Sequence, residues 1–237
     1  MNARAISIWP LAGLPHIRPG DDEAALLGDA IDRTNLLPNP GDIVVVTSKI
    51  VAKAEGRFVE LDGIAPSPRA KELGQLTGKD ARLVEVILGE AGEGVRATPH
   101  VIIVETRGGL ILANAGVDQS NLGEADQGRR VLLLPQDPDG SALALKQKLD
   151  ERFVTNLGVV VSDSVGRPWR LGTMGLAIGA AGVPSLWDRR GEPDLAGRAL
   201  EVTEVAFADA VAAAAVLAMG EGAEGTPAAL VRGFMTS

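Results

Sequence analysis

The chain predicts an α+β architecture of mixed sheets with antiparallel hairpins, and three observations carry that prediction. Residues 159–162, Val-Val-Val-Ser, read as a strand covered on both faces, because a run of β-branched residues without alternation suits a fully buried position. Helical patterns alternate with strand-like segments along the chain, which calls for sheets packed against helices. Residues 101–105 and 110–113 flank Thr106-Arg107-Gly108-Gly109, whose glycines allow the positive φ angles of a hairpin turn, so part of the sheet is antiparallel.

The elements follow in order. Residues 6–11 form a first strand, and Asp21-Asp22-Glu23 opens a helix over 24–31, where carboxylates complement the positive helix end. A strand over 43–47 leads straight into Ser48-Lys49, with Lys53 one helical turn later. After the hairpin, Asp137-Pro138-Asp139 starts a helix that runs through Leu143, Leu145, Leu149 and Phe153. Strands follow at 159–162 and 176–179, then an apolar helix over 207–219 and a last strand at 229–231. With 237 residues and 46% hydrophobic content, the chain supports one domain of two packed lobes over 1–237, and no repeat, low-complexity tract or linker divides it.

Composition narrows the function. The 23 Lys+Arg against 31 Asp+Glu give a formal charge of -8, which disfavours a broad grip on nucleic acid or an anionic membrane. Cysteine is absent and His16 and His100 are the only imidazoles, so a bound metal would take oxygen ligands. The N-terminus shows no basic region followed by an apolar cleavable core, and the apolar stretch 205–219 contains Asp209 and is too short to span a bilayer. A soluble cytoplasmic protein is the expectation.

Three glycine-rich signals invite a phosphate-binding reading. Gly220-Glu221-Gly222-Ala223-Glu224-Gly225 has the spacing of a dinucleotide fingerprint, but it follows a helix and precedes a strand, the reverse of what that fingerprint needs. It reads either as a helix C-cap or as a loop whose Glu221 and Glu224 face a cation while its N–H groups face phosphate oxygens. Gly74-Gln75-Leu76-Thr77-Gly78-Lys79 has too short a gap for a Walker loop and offers Asp80 where Ser or Thr would hold magnesium. Gly89 to Gly94 places acids where phosphates would sit, and both segments read as surface turns.

The carboxylates are more informative. Asn114-Ala115-Gly116-Val117-Asp118-Gln119-Ser120-Asn121 follows a strand and reads as an Asx-type turn or as a site offering an acid and two amides. Residues 159–170 run from a buried strand to Asp163-Ser164 at its end, and then to Arg167 and Arg170 around Pro168-Trp169. Asp118, Asp163 and Glu221 thus each end an apolar element next to hydroxyl, amide or glycine. Three such acids make an oxygen cage suited to Mg2+ or Mn2+, ions that bridge nucleotide phosphates. Ser48, Lys49 and Lys53 supply compact positive charge for phosphate or form a solvated helix face. Arg167 and Arg170 suit a bidentate hold on a carboxylate or phosphate, or a surface ion pair. His16 reads as a loop or packing residue, and His100 has no identifiable partner.

Taken together, Gly13-Leu14-Pro15, the run from Gly41 through Ser48-Lys49 to Lys53 and Arg57, the Asn114 to Asn121 segment, Asp163-Ser164 and Met219-Gly220-Glu221-Gly222 resemble the coenzyme F420-0:L-glutamate ligase family. The resemblance covers essentially the whole chain, with its blocks in family order. It implies a GTP-dependent γ-glutamyl ligase that adds L-glutamate to the lactyl-type carboxyl group of the deazaflavin precursor coenzyme F420-0. It implies two divalent ions, Mg2+ or Mn2+, often with a monovalent ion such as K+, and a homodimer of two-lobed subunits. Asp118, Asp163, Ser164 and Glu221 would be metal ligands, with Asp118, Asp163 and Lys53 the catalytic positions. Gly13, Leu14, Pro15, His16, Ser48, Lys49, Lys53, Asn121 and the run Met219-Gly220-Glu221-Gly222-Ala223-Glu224-Gly225-Thr226 would line the nucleotide site. Ser164 stands where Thr is more frequent, which keeps the hydroxyl, and Val165 stands where Asn is often found.

The expected chemistry is transfer of the GTP γ-phosphoryl group to the acceptor carboxylate, then attack of the glutamate amine on the acyl phosphate. Positioning and charge neutralisation dominate such a reaction, which needs neither cysteine nor a histidine nucleophile. A metal-dependent nucleotide hydrolase or nucleotidyl transferase is the alternative, and a non-catalytic nucleotide-binding module is a third.

Overall fold

The computed structural model describes residues 5–120 and 128–234. In chain order its strands are β1 (Ser7–Pro10), β2 (Ile43–Thr47), β3 (Phe58–Glu60), β4 (Ala91–Thr98), β5 (Val101–Thr106), β6 (Ile111–Ala113), β7 (Arg130–Leu132), β8 (Gly158–Gly166), β9 (Thr173–Ala181), β10 (Leu186–Asp188), β11 (Glu204–Ala206) and β12 (Ala228–Arg232). The helices are α1 (Glu23–Arg33), α2 (Ser48–Ala54), α3 (Pro68–Thr77), α4 (Ala81–Glu90), α5 (Pro138–Phe153) and α6 (Phe207–Met219). Parallel and antiparallel pairs coexist with packed helices, so the α+β class holds. Two compact units emerge, one from Met1–Val51, Asp137–Ser164 and Met174–Ser237, the other from Ala52–Gln136 and Val165–Thr173. Among the described residues no helix is long and apolar enough to cross a membrane.

The first unit is built on a five-stranded sheet in the order β1-β12-β2-β8-β9. β2 and β8 are parallel, with Thr47 opposite Ser162, while β12 runs antiparallel to both β2 and β1. The valine runs explain the central position of β2 and β8: Val44, Val45, Val46, Val159, Val160 and Val161 are all 0% exposed, each burial contributing about 1.5–3 kcal/mol. On one face, Val45, Val160, Ala229 and Val231 pack with Phe207, Val211, Ala215 and Met219 of α6. The alanines of α6 let it lie close to the sheet. A Cβ at Gly175 would stand 2.6 Å from the Ala212 carbonyl oxygen, so β9 passes under α6 only with glycine there. Asp209, the lone charge in α6, accepts the Ala177 N–H at 3.0 Å and ties the first turn of the helix to β9.

α1 and α5 pack on each other through charge as well as apolar side chains. Asp22 caps α1 and also receives Lys148, and Arg152 bridges Asp29 and Asp32 at 2.7 and 2.6 Å. At the bottom of the sheet, Asp42 is 2% exposed and is held by Arg232 through a bidentate pair.

The second unit packs α3 and α4 with the three-stranded β4-β5-β6 sheet and the β3-β7 pair, with Leu73, Val84, Ile87, Ile102, Val104 and Val131 in its core. The predicted hairpin is present: Thr106 and Leu110 pair across the turn and Gly109 takes φ 83°. Only one of the two glycines needs that freedom.

The predicted surface turns around Gly74 and Gly89 are a correction. Gly74 is buried inside α3, where a Cβ would stand 3.0 Å from the Lys79 carbonyl oxygen, and Gly89 lies near the end of α4. Their signals were caps: Ser67 accepts the Ala70 N–H ahead of Pro68, Asp80 accepts the Arg82 N–H, and Gly78 ends α3 at φ 71°. Sequence reading also missed the β10–β11 ribbon, and β8 runs four residues beyond its predicted end at Ser162.

Candidate functional site

The register of the five-stranded sheet brings four singled-out segments to one edge. β2 and β8 are parallel, so their C-terminal ends lie side by side; β12 is antiparallel to β2, so its N-terminal end joins them, and β1, antiparallel to β12, ends there too. Gly13-Leu14-Pro15-His16 follows β1, Ser48 and Lys49 follow β2, Asp163 and Ser164 lie late in β8, and Met219 to Thr226 precede β12. Open sheets place ligands at such edges because the loops there are free of the core while the strands hold them rigidly.

Each segment is fixed by short hydrogen bonds. Ser48 is 4% exposed, and its Oγ donates to Asp163 Oδ1 at 2.9 Å, which joins the end of β2 to β8. Arg33, in the last turn of α1, donates to the Ala12 and Gly13 carbonyl oxygens at 3.3 and 3.1 Å and shapes the segment after β1. Gly13 takes φ 77° there, and a Cβ would approach Arg33 Nε to 3.2 Å. Arg33 escaped the sequence reading; its only signal was a basic residue in a helical last turn.

The glycine loop begins as a helix C-cap: Gly220 N–H donates to the Val216 carbonyl at 2.9 Å with φ 81°. Thr226 Oγ1 donates to the Met219 carbonyl at 2.6 Å, and Thr47 N–H donates to the Pro227 carbonyl at 2.9 Å. Both ends of the loop are therefore pinned, the second directly beside Ser48. Inside it, the Glu224 carboxylate accepts the Gly222 N–H at 2.8 Å, while Glu221 is exposed.

Asp163 is not at the strand end, as the sequence suggested, but within β8. From Asp163 to Gly166 exposure alternates between half-buried and exposed, so Asp163 and Val165 share one face while Ser164 and Gly166 share the other. The sequence read the last apolar residue as the last strand residue; β8 instead continues while its cover stops.

Asp118 and Lys53 belong to the second unit, and Asn121 lies outside the described residues. Asp118 bridges to Leu132 through two backbone hydrogen bonds of 2.9 Å, and its carboxylate accepts the Ser120 N–H at 2.8 Å and the Ser120 hydroxyl at 3.2 Å. It follows three successive residues with positive φ, Asn114 at 53°, Ala115 at 55° and Gly116 at 70°. The Asn114 Oδ1 atom is buried there without a hydrogen-bond partner. Lys49 and Lys53 are both half-buried.

Among the described residues, no three His, Cys, Asp or Glu side chains form a group arranged to hold a metal ion. The donors in each unit are nonetheless oxygens. The first unit has the Asp163 carboxylate with a hydroxyl beside it and the Ser164 hydroxyl; the second has the Asp118 carboxylate and the orphaned Asn114 carbonyl. Oxygen donors of these kinds fit a hard divalent cation, not a soft one.

Comparison with known proteins shows the family. The family model described as F420-0:Gamma-glutamyl ligase matches residues 13–233. The chain is 50% identical to the coenzyme F420:L-glutamate ligase of Methanopyrus kandleri, over 92% of this chain and 83% of that one. It is 46% identical to the protein of the same name from Methanothermobacter thermautotrophicus, over 97% and 89%. With the Archaeoglobus fulgidus protein of that name the identity is 41%, over 97% and 88%. With a family match spanning the four edge segments and Asp118, the chain belongs to the F420-0:γ-glutamyl ligase family and is a ligase.

Proposed function

We propose that the chain joins L-glutamate through an amide bond to coenzyme F420-0, with GTP as the phosphoryl donor. The observation that carries this reading is the convergence of the β1, β2, β8 and β12 segments at one sheet edge, which sets a hydroxyl, an acid and a glycine loop where a nucleotide could be held. The names of the relatives supply the acceptor class and the amino acid.

In this reading an acceptor carboxylate oxygen attacks the γ-phosphorus of GTP. The bond to the β-phosphate oxygen breaks, leaving GDP and an acyl phosphate. The glutamate amine then attacks the acyl carbon, inorganic phosphate leaves and the amine proton is lost. Ser48 holds Asp163 in place, Lys49 and Lys53 offset phosphate charge, and the glycine loop offers backbone N–H groups. As the resemblance implies, Asp163, Ser164 and Glu221 of the first unit and Asp118 of the second would be ligands for Mg2+ or Mn2+, which would supply charge neutralisation for the transferring group. A homodimer in the cytoplasm completes the proposal.

Incubation of the purified chain with F420-0, GTP, Mg2+ or Mn2+ and L-glutamate tests it by mass spectrometry of the deazaflavin. Products heavier by whole glutamyl units, with GDP formed in step, are expected. GTP consumption that does not depend on glutamate would point instead to a hydrolase, and light scattering reads the dimer.

A further inference from the structure

The β8–β9 connection, residues 167–172, has no task in the reaction as described, yet its composition is unusual. Trp169 is 99% exposed and Leu171 is 98% exposed. Trp169 also takes φ 58°, a left-handed conformation that bulky residues seldom adopt. The other two tryptophans have company: an Arg232 guanidinium lies over the Trp9 ring and Arg189 over Trp187, at 5.4 and 5.3 Å from the centroids. Among the described residues, no cation or ring lies over Trp169.

Charge singles out the same loop. Between Asp163 and Asp188 the chain has no acidic residue, and its only basic ones are Arg167 and Arg170, on either side of Pro168-Trp169. In a chain of net charge -8 this is a local positive stretch. Arg167 donates to the Gly172 carbonyl at 3.5 Å, across the tip, and among the described residues Arg170 has no hydrogen bond or ion pair. In the β10–β11 ribbon, by contrast, Arg189 is held by Glu192 and Arg190 by Asp188. The tip thus offers an uncovered aromatic face between two guanidinium groups without carboxylates. That chemistry suits a flat conjugated ring carrying an anionic tail.

We propose that this tip is the acceptor-recognition element, with Trp169 stacking on the deazaflavin ring and Arg170 and Arg167 pairing with its acidic tail. The proposal rests on the ligase reading. GTP shares the ring-and-anion chemistry, but its proposed place is the sheet edge with the glycine loop, which leaves the acceptor for the tip. Arg167 follows Asp163 by four positions in the sequence.

The test measures binding of F420-0 to the full chain by the anisotropy of the deazaflavin's own fluorescence, and binding of GTP separately by calorimetry. Trp169→Ala, Trp169→Gly and Arg170→Gln are compared with the parent, the glycine variant relieving the positive φ so that a folding defect can be told from a lost contact. Each variant is expected to weaken F420-0 binding about tenfold with GTP binding and melting temperature unchanged. In turnover the acceptor KM should rise while the glutamate KM stays fixed. Parent-like F420-0 affinity in all three variants would overturn the proposal, as would a loss confined to GTP. Glutamylated product from the parent would still uphold the ligase reading in either case. A parent that neither binds F420-0 nor glutamylates it would overturn both.

Discussion

Asp163 and Asp118 are presented by opposite means. Asp163 sits on a regular strand whose preceding residues are fully buried, and the buried serine that opens α2 just after β2 holds one of its oxygens. Asp118 follows three residues in left-handed conformation, and a buried amide oxygen beside it lacks a partner. The first acid obtains its position from sheet packing at no conformational cost. The second depends on a backbone held in strain by its surroundings, at about 1–3 kcal/mol per non-glycine residue. The lesson is that substitutions in the turn before Asp118 should change stability, whereas removing the Asp163 charge should change turnover with the fold left intact.

The largest effect expected from that contrast is at Asp163. Asp163→Asn should reduce glutamylation by roughly three orders of magnitude, about 4 kcal/mol in the barrier, while the melting temperature moves little, because Ser48 can still donate to the amide oxygen. Near-parental turnover in a mass-spectrometric assay would remove Asp163 from the reaction. Next comes Gly116→Ala. Its Cβ would stand 2.7 Å from Leu134 at φ 70°, so unfolding free energy should fall by about 2–3 kcal/mol in urea titrations.

Asn114→Gly sharpens the comparison from the other side. It frees the first left-handed residue and deletes the unpartnered buried oxygen, so the protein should gain about 1 kcal/mol of stability while turnover falls about tenfold. Stability that falls instead would mean the asparagine serves the fold alone.

The smallest effect concerns an acid outside both sites. In the β10–β11 ribbon the Arg190 guanidinium, and after it the Arg190 N–H, draw the Asp188 carboxyl from the ordinary 3.8 down to about 2. A lowered folded-state value favours the fold above pH 3.8 and loses that contribution as pH falls through about 2. An NMR titration should place the Asp188 midpoint near 2, and Arg190→Gln should return it toward 3.8. Because the pair is exposed, the melting temperature at neutral pH should hardly change.

What could be read from sequence follows the same division. The valine runs of β2 and β8, the two-glycine turn between β5 and β6 and the cap of α6 declare themselves locally, because burial and turn chemistry act on adjacent residues. α3 and α4 were missed because Gly74 and Gly89 look like breaks, and only a close neighbouring backbone explains the first of them. Among the site residues, Asp163, Ser48 and the glycine loop were legible as types. Their convergence was not, since it depends on strands paired from opposite ends of the chain, β1 with β12 and β12 with β2. The left-handed turn before Asp118 was hidden altogether, for Asn and Gly hint at such a turn but Ala115 does not.

The pairing of Thr47 with Ser162 has a mechanical consequence. A slip of one residue between β2 and β8 would turn every following side chain to the other face, taking Ser48 away from Asp163 and burying polar groups among valines. Alignment of the strands and arming of the site are therefore a single event. The sheet acts as a ratchet with one allowed tooth, and a molecule that has folded this sheet has no partly assembled version of this edge to correct.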